Sequence, residues 1–113
     1  MGNHQPGLDA LYHAMSDATR RAVVEQLQGG PASVSELAAP HPMALPTFMK
    51  HLQVLERSGV IRSEKQGRVR VCHLKPGALD VGEAWFRKQR ARMERRLDRL
   101  VEVVEELERR GRK

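Results

Sequence analysis

The sequence predicts a mainly α-helical fold that carries one small β-hairpin, an α+β arrangement. Three observations predict it. Apolar residues recur at helical spacing in four short segments that Gly, Pro and Ser separate. Two β-prone runs, "VIRSEK" and "VRVCHLK", flank the turn "QGR". From about Leu79 to Arg110 there is no Pro and one Gly, at position 82, in a stretch rich in Ala, Leu, Glu and Arg. That last composition is the composition of one long helix.

Taken in order, residues 1–7 ("MGNHQPG") are expected to form a flexible tail. "LDALYHAM" then sets Leu8, Leu11, Tyr12 and Met15 on one stripe of a short amphipathic helix. Ser16 or Asp17 can cap a second helix, "DATRRAVVEQLQ", which Gly29, Gly30 and Pro31 end. Ser33 (or Ser35) caps a third, short helix, with Glu36 placed for a capping box after Ser33. "PHPM" breaks that helix, and Pro46 suits the first turn of a fourth, which Gly59 stops. The hairpin and the long helix, about 79–110, follow. Residues 8–110 are read as a single domain, and residues 111–113 as a tail that frays.

A chain of 113 residues fits one domain with one modest core, and two Phe, one Tyr and one Trp make that core mostly aliphatic. Cys72 is the one cysteine, which excludes an internal disulfide and suits a reducing compartment. No apolar run is long enough to span a membrane, and the start lacks signal-peptide and myristoylation patterns. A cytoplasmic, nucleoid-associated protein is expected, with no membrane partner. Twenty basic against fourteen acidic residues give a net charge of +6, which favours a polyanionic partner.

The fourth helix, "LPTFMKHLQVLER", shows how such a partner would be met. At 100° per residue, Phe48, Leu52 and Leu55 form the core stripe. Pro46, Lys50, Gln53 and Arg57 fall opposite, Thr47 and Met49 flank them, and His51 lies at the edge of the core side. A short helix, a break at "APHPM" and a helix with an exposed basic and amide face make a helix-turn-helix, whose second helix can enter a major groove. The hairpin after it, with Lys65, Arg68 and Arg70, reads as a basic wing for phosphates or the minor groove. Arg20 and Arg21 are candidate phosphate contacts, with a buried ion-pair role for one of them equally open.

Several separated motifs then occur in order: "MSDATRRAVVEQL" (15–27), "SVSELAAP" (33–40), "LPTFMKHLQVLERSGVIR" (45–62) and "EKQGRVRVCHL" (64–74). Together they resemble the ArsR/SmtB family of bacterial winged helix-turn-helix repressors, over roughly residues 8 to 75. The resemblance implies a homodimer that binds an inverted-repeat operator in double-stranded DNA, often near its own promoter, and is released by an effector. It puts Pro46, Thr47, Met49, Lys50, His51 and Gln53 at recognition-helix positions, and Arg68 and Arg70 at the wing. It also puts the first and last helices in the dimer interface. The sequence departs from many relatives at Ala44, Leu45 and Met49, where Ser or Gln is common. Fewer base hydrogen bonds are therefore expected, with thymine-methyl contacts and DNA shape carrying more of the readout.

On the long helix, Met93, Leu97, Leu100, Val104 and Leu107 follow a heptad a/d seam, Phe86 extends the a series backwards, and Arg90 interrupts the pattern. With Leu8, Leu11, Tyr12 and Met15, these are the expected dimer contacts. The family's known metal sites use a Cys-x-Cys on the third helix or Asp and His on the last. The third helix here has no Cys, and residues 79–113 have no His and no Cys. No metal site and no cofactor is expected, and the effector stays unidentified. No nucleophile-base pairing or phosphate-binding Gly-rich loop suggests an enzyme. The competing readings are a winged-helix protein-interaction module and a nucleic-acid binder without sequence preference.

Overall fold

Asp17 opens the second helix with its own carboxylate: Oδ2 accepts from the amides of Thr19 at 2.8 Å and Arg20 at 3.2 Å. This is an N-cap of the ordinary kind, and Ser16, the other candidate, donates to the His13 carbonyl instead. The computed structural model describes residues 6–112, and residues 1–5 and 113 of the expected tails lie outside them. Its elements are α1 (Pro6–Met15), α2 (Ala18–Leu27), β1 (Ala32–Ser33), α3 (Val34–Ala38), α4 (Leu45–Arg57), β2 (Ile61–Gln66), β3 (Val69–Leu74) and α5 (Asp80–Gly111).

Local chemistry accounts for most of the boundaries. Ser33 and Glu36 form the reciprocal capping box, each bond 3.1 Å long. Gly59, at φ 82°, takes the left-handed conformation that ends α4. Gly67, at φ 65°, occupies the first position of the two-residue loop between β2 and β3, as a type II′ hairpin turn requires.

The hairpin is extended by an unforeseen third strand. Ala32 and Ser33 pair antiparallel with Cys72 and Val71, so the sheet order is β1-β3-β2. A two-residue strand beside Gly30 and Pro31 has no periodicity to betray it.

Two compact units divide the chain, Met1–Gly82 and Glu83–Lys113. In the first, Leu11, Ala14, Val23, Val24, Leu27, Leu37, Phe48, Leu52, Leu55, Val60, Ile61 and Cys72 form one buried cluster. Gly82, buried in the first turn of α5, lets Leu11 approach, since a Cβ there would sit 2.8 Å from Leu11 Cδ2. The second unit is the remainder of α5, a single helix on which Met93, Leu97, Leu100, Val104 and Leu107 are each more than half exposed. No helix is long and apolar enough to cross a membrane among the described residues.

Candidate nucleic-acid interface

The face that α4 presents follows from what it buries. Phe48, Leu52 and Leu55 are almost wholly enclosed, so the helical period leaves Lys50, Gln53 and Arg57 exposed on the other side. Pro46 and Thr47 are exposed in the first turn. Leu45 stands beside them at 55% exposure, an apolar side chain at the nose of the helix. The N-cap residue is Ala44, which offers no side-chain acceptor, so no side chain caps the first-turn amides.

Two residues that the resemblance put at recognition-helix positions are partly buried, His51 at the core-side edge where the helical period sets it. Met49 is half-buried and packs against the core cluster. His51 keeps 19% of its side chain exposed, and its Nδ1 lies 3.0 Å from Nη1 of Arg20. Of the two roles left open for Arg20, a phosphate contact is the one its burial rules against, since it is 8% exposed. Its Nε donates to the Ala14 carbonyl at 2.8 Å and its Nη2 to the His13 carbonyl at 2.9 Å. A guanidinium so enclosed and so satisfied is a structural side chain. Arg21 remains exposed, with Nη1 donating to the Met15 carbonyl at 2.7 Å.

The wing stands beside α4 through a short hydrogen-bonded chain. Ser63 donates to Glu56 Oε1 from its amide at 3.2 Å and from its hydroxyl at 2.8 Å. Arg70 Nη1 in turn donates to Ser63 Oγ at 3.0 Å. Cross-strand partners share a face of a sheet, and Lys65 is paired with Arg70 as Ser63 is with Cys72. Lys65 and Arg70 therefore lie on the α4 side of the wing, and Arg68 is exposed at its turn.

The opposite face is a charge cluster. Glu64 lies 3.5 Å from Arg62 and 3.2 Å from His73 Nε2. The Gln66 amide on its carboxylate comes first among the causes that hold Glu64 below the ordinary glutamate range. Nothing in the sequence marked Glu56 or Ser63, because their tie spans the α4–β2 turn and follows no helical or strand period.

Cys72 faces inward, 1% exposed, and burial, then the nearby Glu56 carboxylate, pushes its thiol up. It has no thiolate character to offer at neutral pH. Among the described residues no three His, Cys, Asp or Glu side chains are grouped as a metal ion requires.

For the dimer contacts, Leu8 and Leu11 are a correction: they are 7% and 5% exposed within the single chain and have little surface left for a second copy. Tyr12 and Met15 are partly buried, and Met15 packs on the core cluster. Phe86 is 55% exposed, like the five seam residues after it on α5.

Residues 15–64 match a family model described as a helix-turn-helix domain. The chain is 37% identical over 84 residues to the HTH-type transcriptional regulator Rv2034 of Mycobacterium tuberculosis, an alignment covering 70% of this chain and 78% of that protein. It is 28% identical over 79 residues to the transcriptional repressor SdpR of Bacillus subtilis, covering 70% and 88%. Among solved structures, the crystal structure of the ArsR family transcriptional regulator RHA00566 is 48% identical, with a TM-score of 0.77 over 83% of this chain and 97% of that one.

Proposed function

The chain belongs to the ArsR family of helix-turn-helix transcriptional regulators, and from that premise we propose that it acts as a homodimeric repressor at an inverted-repeat operator near its own promoter. One observation carries the proposal. The recognition-helix face of Lys50, Gln53 and Arg57 stands next to a wing whose Lys65 and Arg70 lie on the same side, with the two joined through Glu56 and Ser63. Gln53 can pair with an adenine edge and Lys50 with guanine, while the wing cations suit phosphates. The repressor name of the Bacillus relative supports the sign of the regulation.

The dimer is supported by α5. Met93, Leu97, Leu100, Val104 and Leu107 are 52–65% exposed on one heptad seam, more apolar surface than an isolated helix leaves in water. The charges suggest how two copies pair. Residues 87–99 carry seven basic and two acidic side chains, and residues 100–108 carry four acidic and none basic. An antiparallel pair sets each basic block against its partner's acidic block. A parallel pair would stack basic on basic and set Arg90 against its own copy in the seam. Two-fold symmetry then suits two half-sites of a palindrome about one helical turn apart.

We propose that the releasing effector is no transition metal. The donor set supports this, with one cysteine in the chain and no cluster of three donors among the described residues. The test is a fluorescence-anisotropy titration into the gene's own upstream DNA and a scrambled duplex, at several salt concentrations, with and without zinc. Tight, selective, zinc-indifferent binding is expected. Equal binding to both duplexes means a non-specific binder, no binding means a protein-interaction module, and release by zinc overturns the metal-independent reading.

A further inference from the structure

Arg20 makes more hydrogen bonds than any cap or core contact near it requires. Its guanidinium donates to the Ala14 and His13 carbonyls, which end α1, at 2.8 and 2.9 Å. Nη2 also lies 3.4 Å from Ser16 Oγ. The remaining nitrogen, Nη1, reaches His51 Nδ1 on α4 at 3.0 Å. One buried side chain on α2 thus joins the end of α1 to the middle of the recognition helix.

An arginine can only donate, so this contact is a hydrogen bond only when Nδ1 of His51 is the accepting nitrogen. The bond therefore exists in one protonation state. A protonated ring has no lone pair at Nδ1 and would face the guanidinium as a second cation. The nearest counter-charge is Asp17, whose Oδ2 lies 3.8 Å from Nδ1 while it caps α2. Burial pushes the Asp17 carboxyl up, but the bond from the Arg20 amide comes first among the causes that outweigh it and hold the group below its ordinary range. Asp17 at the N-cap of α2 and Arg20 within it meet His51, and the His13 and Ala14 carbonyls of α1 meet Arg20.

We propose that Arg20 and His51 are positioning residues for operator recognition. The Arg20–His51 bond sets the rotation and depth of α4 against the α1–α2 corner, and protonation of His51 undoes it, moving the ring from Arg20 towards Asp17. This rests on the operator-binding function proposed above, and it adds a pH dependence that the DNA-facing residues do not themselves create. His51 lies one residue after Lys50 and two before Gln53, so a small rotation of the helix there displaces both from their base edges.

The test compares wild type, His51→Asn and His51→Leu, in the full-length chain, by operator anisotropy from about pH 8 to about pH 5.5. Asn can accept where Nδ1 does but does not titrate; Leu fills the space and accepts nothing. Wild type is expected to lose about tenfold in affinity across that range, His51→Asn to hold one affinity throughout, and His51→Leu to bind about tenfold more weakly than wild type at pH 8. Melting temperature at each pH keeps folding separate from positioning. If His51→Leu fails to fold, the difference between wild type and His51→Asn in pH profile decides alone. Identical profiles for those two, or a folded His51→Leu that binds within about twofold of wild type at pH 8, overturn the proposal. Wild type that binds no operator at any pH overturns the function above instead.

Discussion

Lys50 and Gln53 are exposed on α4, while Phe48, Leu52 and Leu55 on the other side are enclosed. Truncating the first pair therefore separates recognition from folding. Lys50→Ala with Gln53→Ala should weaken operator binding by about 1–3 kcal/mol per lost base contact, with a melting temperature close to wild type. A large drop in melting temperature would mean that these side chains support the fold. Leu45 makes a second residue-scale case. At 55% exposure on the nose of α4, it can touch no base group more favourably than a thymine methyl. Replacing half-site thymines with deoxyuridine, one at a time, should weaken binding at the position under Leu45. That loss should vanish in Leu45→Ala, and a uniform response in both proteins would place Leu45 outside the groove. Phe48 and Lys50 could be assigned to opposite faces from periodicity alone. Arg20 and His51 could not, because their bond crosses two helices, and a buried guanidinium held by carbonyls looks in sequence like any surface arginine.

At the scale of elements, the two units differ in how much of their structure is local. The capping box at Ser33 and Glu36, the stop at Gly59 and the turn at Gly67 are short-range chemistry, and each was legible as a motif. Strand β1 and the tie from Glu56 through Ser63 to Arg70 depend on partners distant in sequence, and no periodicity announces them. The seam of α5 follows from its heptad spacing, whereas Leu8 and Leu11 share a stripe with Tyr12 and Met15 because that stripe faces inward. The dimer prediction accordingly rests on α5. Leu97→Glu with Leu100→Glu should give monomers in sedimentation and abolish tight operator binding, while the helical circular-dichroism signal of Met1–Gly82 persists. A dimer of undiminished strength would remove the seam from the interface.

For the whole molecule, the relevant quantity is the field that its net charge of +6 sets up around the proposed DNA-binding surface. Lys50, Arg57, Lys65, Arg68 and Arg70 are exposed on α4 and the hairpin. The logarithm of the operator-binding constant should fall against the logarithm of salt with a slope of about −4 or steeper, at about −0.9 per neutralised phosphate. Arg68→Ala should flatten that slope by about 1 for each copy engaged, lowering specific and scrambled binding alike. A slope near zero would remove phosphates from the interface.

The order β1-β3-β2 leaves β2 with one side unpaired along its length. Bare strands of this kind template fibres, since any extended peptide can complete their ladder. Here the exposed strand reads Ile61-Arg62-Ser63-Glu64-Lys65-Gln66, with three ionised side chains in six positions. Those charges, useful beside a nucleic acid, also make the wing a poor seed for stacking copies of itself. A hairpin whose outer strand carries these charges thus resists pairing with its own copies at high concentration.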